Sequence, residues 1–317
     1  MQTQSNHKIP NRVFLHLHQD LSEMEMLAAQ EIRNRLHAMG VRVDSLLPTL
    51  AFCDMAIFFG TAKFRPKFSH LVKLFITYSR MNFMVFESPV IGRVTQELGH
   101  KEPFFRVGMG GFFADRGFDY ALTHQNDSTA KRLLMGDAFS SPQVRFNGNG
   151  VVGIALQIPG DTAIKGVDQI LGTEAVIAHI RNSNYFCNAR ITVRTPPLLA
   201  FRKDQRLARL EAIPGVDIQT GTNDNKEDFF RSIELLVTFS STMGVDAISR
   251  GVPACGLDPR SFLRLVSHSG LDNLLNRRMQ LNPNYLNILA NTTWKIENIF
   301  GSEFLRVVMG VTKLDSL

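Results

Sequence analysis

The segment Leu236-Val-Thr-Phe-Ser-Ser-Thr-Met-Gly-Val-Asp-Ala-Ile-Ser-Arg-Gly-Val-Pro-Ala-Cys255 leaves the chain few ways to fold. It reads as a buried strand, a hydroxyl-rich turn, a short helix, a glycine stop and the start of another strand. Leu235, Leu236, Val237 and Phe239 supply the apolar run of a parallel strand covered on both faces. Ser240, Ser241 and Thr242 stand where a helix begins, as residues that cap free backbone N–H groups. Gly244 admits close approach to the backbone, and Gly251 with Pro253 ends the helix. A helix start rich in hydroxyls, at the carboxyl end of a parallel strand, suits an anionic group such as phosphate. An ordinary capped helix has the same local chemistry, so the segment has to be weighed with the other strand ends.

The rest of the chain repeats the alternation. Val13–Leu17 reads as a strand, 22–39 as a helix stopped by Gly40, and Val41–Val43 and Met55–Phe59 as further strands. A basic helix is expected over 66–80, followed by a strand at Phe83–Phe86. After an irregular, glycine-rich middle, Val151–Leu156, Ile191–Val193 and Val216–Gln219 read as strands, with helices over 167–182 and 203–211 between them. The tail predicts helices, among them Asn284–Leu289 and Trp294–Ile299. A length of 317 residues suits two domains of roughly 150 residues each. The expectation is therefore an α/β protein with two Rossmann-like, doubly wound domains, 1–148 and 149–317, facing a cleft, with a helical tail.

Composition narrows the function classes. At 44% hydrophobic the chain can fill a core, yet no apolar run approaches the roughly 20 residues of a membrane span. The first eight residues lack the apolar core of a signal peptide. Cys53, Cys187 and Cys255 are few and far apart, without metal-type spacing. Together these predict a cytoplasmic protein without a metal site. The net charge of +6 favours a polyanionic partner, nucleic acid or an anionic surface, although 35 basic against 29 acidic residues also serves plain solubility.

Three strand ends in the second half converge in principle on one crevice. Gln157 and Asp161, in Leu156-Gln-Ile-Pro-Gly-Asp161, are placed to bond a base, ribose or sugar. Arg194, before Thr195-Pro-Pro197, is placed to grip a diphosphate with its fork, or else to form a surface salt bridge. The Ser240–Gly244 turn is the third, with Asp246 one helical turn further on as a partner for sugar hydroxyls or as a solvated helix residue. In the first half, Glu87 ends a buried strand and is a candidate general base towards an acceptor hydroxyl, with Asp115 as the second candidate. Arg93 would pair with Glu87 or bind an anion. His16 and His18 share a strand face and read as a polar rim rather than a metal pair. Lys63, Arg65, Lys67 and Lys73, with Phe64 and Phe68 among them, make a candidate nucleic-acid backbone face or a solvated helix face. Gly108-Met-Gly-Gly111 lacks the Gly-x-Gly-x-x-Gly pattern and is followed by no acidic residue at the expected distance, and no Gly-Lys-Ser/Thr or Gly-x-Ser-x-Gly motif is present, which argues against P-loop and α/β-hydrolase chemistries.

Phe239-Ser-Ser-Thr-Met-Gly-Val-Asp-Ala-Ile-Ser-Arg-Gly-Val-Pro253 resembles the donor-binding turn of GT-B glycosyltransferases of the capsular polysaccharide type. Leu289-Ala-Asn-Thr-Thr-Trp-Lys-Ile-Glu-Asn-Ile-Phe-Gly301 resembles that group's carboxyl-terminal tryptophan–glutamate–glycine segment. Glu87-Ser-Pro-Val-Ile-Gly-Arg93 and Leu156-Gln-Ile-Pro-Gly-Asp161 are similar to segments of its phage-encoded relatives. Where the capsular group carries Arg-Pro-His-Pro, this chain has Arg194-Thr-Pro-Pro197, keeping the arginine and losing the histidine. The resemblance implies a GT-B enzyme with no tightly bound cofactor. A nucleotide-sugar co-substrate, UDP-sugar first, would be held by Gln157, Asp161, Arg194, Ser240, Ser241, Thr242, Gly244 and Asp246. The acceptor would meet His16, His18, Arg93, Lys63, Arg65 and Lys67, with Glu87 or Asp115 as base. The favoured acceptor is a 5-hydroxymethyl pyrimidine in phage duplex DNA, and the alternative is an anionic surface (capsular) glycan. A sugar-nucleotide epimerase or a non-catalytic nucleotide-binding protein would use the same scaffold.

Overall fold

The computed structural model describes residues 9–17, 21, 23–59, 82–87, 104–109, 118–123, 142–158, 164, 166–196, 206–222 and 225–311. The chain forms two compact units, one from Met1–Met135 with Asn287–Leu317 and the other from Gly136–Leu286.

The first unit carries a six-stranded sheet in the order β11-β5-β4-β3-β1-β2. β1 (Arg12–Leu15), β2 (Arg42–Asp44), β3 (Met55–Phe59) and β4 (Asn82–Glu87) are mutually parallel. Their apolar runs bury both faces: Val13 and Leu15 pack with Ile57, Phe59 and Phe86, while Phe14 and Phe58 line the other side. α1 (Glu23–Ala38) covers the first of these faces with Ala28, Ile32 and Leu36, which recur at helical spacing. Leu27, the residue before Ala28, turns away from this face and is 57% exposed.

The tail departs from its expected course. Trp294–Ile299 is not a helix. Thr293–Lys295 is a strand, β11, antiparallel to β5 (Phe104–Met109), and Ile296–Asn298 is one 3-10 turn. Trp294 is buried, donates its indole N–H to the Asn291 carbonyl at 2.7 Å and meets Phe304 edge-on at 5.1 Å. Burying this large ring against the first sheet outweighs three residues of helix propensity. The last 31 residues, counted from Asn287 to Leu317, therefore belong with the first unit, whereas the sequence reading grouped 149–317 together.

The second unit is a five-stranded, wholly parallel sheet in the order β10-β9-β6-β7-β8. Its strands are β6 (Val151–Ala155), β7 (Arg190–Thr195), β8 (Val216–Thr220), β9 (Leu235–Thr238) and β10 (Ala254–Gly256). Numbered within the unit, this is the 3-2-1-4-5 order of a Rossmann fold, with its switch point between β6 and β9. Buried apolar residues, among them Ile154, Ile177, Val193 and Val237, form its core.

Cys53 and Cys255 are buried and Cys187 is exposed. Burial pushes the Cys255 thiol up to about 12, and it also raises the Cys53 thiol. A thiol-selective reagent at pH 8 is therefore expected to label Cys187 alone in the native protein, with the other two reacting only after denaturation. Peptide mapping that found Cys255 modified as fast as Cys187 would contradict this core.

Candidate functional site

In a doubly wound sheet, the crevice at the carboxyl ends of the strands where the order reverses is the place for a ligand. In the second unit that place is held together by one side chain. Gln157, just past β6, accepts a hydrogen bond on its Oε1 from the Ser240 N–H at 2.8 Å. Its own backbone N–H and carbonyl are bonded by Gln169 at 2.7 and 3.0 Å. Gln157 thus ties the end of β6 to the turn after β9 and to the start of α3 (Gln169–Arg181).

The hydroxyl-rich turn is built differently from expectation. The Ser240 N–H goes to Gln157, the Ser241 N–H to Thr238 Oγ1 at 3.3 Å, and the Met243 N–H to Ser241 Oγ at 3.2 Å. The N–H groups of Gly244 and Val245 bond back to the carbonyls of Ser241 and Thr242. These backbone donors are occupied from within, so the turn offers side-chain hydroxyls rather than a cradle of open N–H groups. Ser240 Oγ makes no hydrogen bond among the described residues. The helix that follows, α6 (Met243–Ser249), is seven residues long. A Cβ on Gly244 would meet Leu263 Cδ2, so a larger residue there would have to displace that side chain where α6 packs on α7 (Leu263–Val266).

Arg194 is the unusual group. It lies directly beside Ala155 in the β6–β7 register, and Thr238 lies beside Ala155 on the other side. Arg194 is only 5% exposed, which removes the surface salt bridge as an alternative. Its guanidinium stacks over the Phe229 ring at 5.1 Å and donates one hydrogen bond, from Nη2 to the Thr222 carbonyl at 2.6 Å. Gly221 leaves room for it, since a Cβ there would sit 2.9 Å from Nε. Nη1 is buried without a partner, and no carboxylate pairs with Arg194 among the described residues. Burial pushes its pKa below the ordinary value, with no acidic neighbour opposing it. A buried, unpaired cation is costly and calls for an anion.

Asp246 is neither solvated nor open to a sugar. Its side chain is 3% exposed and pairs with Lys226 Nζ at 2.8 Å, tying α6 to α5 (Lys226–Ser232). Lys226 carried no sequence signal of this role, because nothing local marks a lysine as the partner of a residue on another helix. Beside them, Arg250 bonds Glu227 at 2.7 Å and covers Phe230.

In the first unit, His16 is buried at the end of β1, its ring 5.7 Å from Phe58, and its N–H donates to the Ile57 carbonyl. It is packed among aromatic rings rather than exposed on a rim. Glu87 is the last residue of β4 and stands opposite Arg106, a buried arginine on β5 that sequence reasoning missed. His18, Lys63, Phe64, Arg65, Lys67, Phe68, Lys73, Arg93, Asp115 and Asp161 lie outside the described residues. Among the described residues, no group of three or more His, Cys, Asp or Glu side chains could hold a metal ion. No helix among them is long and apolar enough to cross a membrane.

Two Rossmann-like units, the second with a buried arginine beside its switch point, make up the GT-B class of fold. The chain is similar to Thermosulfurimonas dismutans KpsC, beta Kdo 2,4 transferase, with a TM-score of 0.55 and 16% identity over 89% of this chain and 90% of that one. It is also similar to Thermosulfurimonas dismutans KpsC, beta Kdo 2,7 transferase, with a TM-score of 0.52 and 13% identity over 94% and 99% of the two chains. An S. aureus MnaA–UDP co-structure aligns with a TM-score of 0.28 and 8% identity, too loosely to bear on this chain. No protein-family model and no curated protein matches the sequence.

Proposed function

We propose that this protein is a glycosyltransferase that moves a sugar from a nucleotide-sugar to an acceptor hydroxyl. The observation that carries the reading is Arg194, a buried guanidinium without a counter-ion among the described residues, at the carboxyl end of β7. A diphosphate supplies the missing charge and takes up more of it as the bond to the sugar breaks. The Ser240, Ser241 and Thr242 hydroxyls flank the same strand ends and add neutral donors; UDP-sugar is the first candidate donor. In the reaction the acceptor O–H gives its proton to a carboxylate base, its oxygen bonds the anomeric carbon, and the nucleotide leaves with the electrons of the cleaved C–O bond. Glu87 is our assignment for the base, with Asp115 second.

The acceptor follows from weaker observations. Both neighbours at the level of fold are described as Kdo transferases, which supports a surface glycan of the capsular kind. The charge of +6 supports a polyanion and keeps 5-hydroxymethyl pyrimidines in duplex DNA as the second reading. The test offers mixed UDP-, GDP- and CMP-sugars with either an acidic oligosaccharide or hydroxymethylated duplex DNA, read by mass spectrometry. A sugar mass on one acceptor identifies donor, acceptor and reaction class together. Turnover of the nucleotide-sugar with neither acceptor modified would point to an epimerase. Absence of nucleotide binding would sink the transferase reading.

Glu87→Gln is expected to lower transfer about 100-fold or more while leaving nucleotide affinity within about twofold. Unchanged turnover would remove Glu87 as the base. A variant that failed to fold would instead assign Glu87 to holding its strand against Arg106.

A further inference from the structure

Glu87 has a buried cation directly across the sheet. Arg106, on β5, is 5% exposed, and the residues on either side of it, Phe105 and Val107, belong to the apolar core. The antiparallel register sets Arg106 opposite Glu87 on β4 and, on its other side, opposite Thr293 on β11. Residues opposite one another in such a pair stand on one face of the sheet, with Cβ atoms about 4.5–5.5 Å apart. Phe86 and Val107, the pair before, lie in the face that α1 covers, so Glu87 and Arg106 belong to the other face, with Phe14 and Phe58.

Among the described residues this face holds few other charges. His16 ends β1, two strands away from β4. Lys295 follows Thr293 by two positions and meets Glu297, itself 60% exposed, at 3.8 Å. Tyr120, from the helix Asp119–Thr123, donates its hydroxyl to the Val107 carbonyl at 2.5 Å, and burial keeps the phenol protonated. The cation in register with Glu87 is therefore Arg106. Two effects compete at such a strand end. Apolar surroundings disfavour a charged carboxylate, whereas a cation within about 4–6 Å favours it and lowers its pKa by about 1–3. A base that takes a proton has to be ionised first, so the cation has to win.

We propose that Arg106 is a positioning residue of the transfer reaction, holding the Glu87 carboxylate ionised and fixed in direction. It touches no substrate and acts only through Glu87. A guanidinium suits this task, since its fork grips a carboxylate through two parallel hydrogen bonds and stays charged throughout the working pH range. The proposal rests on the transferase reading above, with Glu87 as its base.

The test measures kcat/KM against pH, with the donor and acceptor found by the transfer assay above. It compares wild type, Arg106→Met, Arg106→Lys, Glu87→Gln and the double variant Arg106→Met with Glu87→Gln, with UDP titrations and thermal melts beside them. A base works only when deprotonated, so the rate falls as pH drops through its pKa, and losing the cation moves that fall to higher pH. Arg106→Met is expected to move the acid limb up by about one to three pH units. Its rate at pH 6 then falls about tenfold or more, and most of the rate returns near pH 9. Arg106→Lys, which keeps the charge without the fork, lies between. In the Glu87→Gln background Arg106→Met costs no more than about twofold, and UDP affinity stays within about twofold in every variant. A rate that falls equally at all pH values, or an undiminished loss in the Glu87→Gln background, overturns the proposal and leaves the transferase reading intact. Should Arg106→Met not fold, Arg106→Lys decides alone: an upward shift of the limb supports the proposal and an unmoved limb overturns it. Full turnover by Glu87→Gln removes the base and this role with it, while the transferase reading stands on Arg194. Wild-type protein that transfers no sugar overturns both the proposal and the reading it rests on.

Discussion

Arg194→Met is expected to lower nucleotide affinity about 100-fold or more while leaving the second unit as stable as before, or more stable. The two halves of this result have one cause. In the free protein the guanidinium is desolvated, makes one hydrogen bond to Thr222, and has no carboxylate partner among the described residues. Replacing such a charge by an apolar side chain removes a desolvation cost of several kcal/mol. Methionine keeps the contact with Phe229, because a thioether also packs favourably against a ring. The bound diphosphate then loses two or so charge-assisted hydrogen bonds of about 1.5–3 kcal/mol each. Arg194→Lys is expected to recover little, since an ammonium lacks the fork that reaches both Thr222 and the ligand. Calorimetric titration with UDP and a thermal melt of each variant check both halves. A large fall in melting temperature with unchanged affinity would show that Arg194 serves the fold and not a ligand.

The second large effect is on stability. Asp246→Ala removes the buried carboxylate that Lys226, 11% exposed, and Arg250 both face, and is expected to destabilise the second unit by about 3–5 kcal/mol. The double variant Lys226→Met with Asp246→Leu should recover most of that loss, because it removes both desolvated charges together. Urea unfolding, followed on the transition of the second unit, measures both. If Asp246 contacted a sugar instead, Asp246→Ala would stay folded and lose affinity. The buried Lys226 pair predicts the opposite order of effects.

These two residues show where a sequence is readable. The order of strands and helices in the second half was legible, since apolar runs such as Leu235–Phe239 and the stop at Gly251 are local signals. The position of Arg194 at a strand end was legible for the same reason. Its burial was not, because burial depends on Phe229, from α5, and Gly221, just past the end of β8. Gln157 was singled out as a ligand for base or sugar, yet its amide holds the Ser240 turn in place. The turn itself was recognisable, but the partners that occupy its N–H groups come from Thr238 and Gln157.

The tail makes the same point at larger scale. Asn291 donates to the Ala121 carbonyl across 170 residues of chain, and Trp294 buries its ring against the first sheet. By itself the sequence determined the α/β class, the positions of most strands and the strand ends at which charged and hydroxyl side chains gather. These follow from periodicity and turn chemistry within windows of ten to twenty residues or so. Only the tertiary structure decided which unit the tail joins, which carboxylate pairs with Lys226, and that Arg194 is buried with no carboxylate partner among the described residues. Each of these is a pairing between residues far apart in the chain, and the free energy of a pair depends on desolvation and geometry that no local window contains.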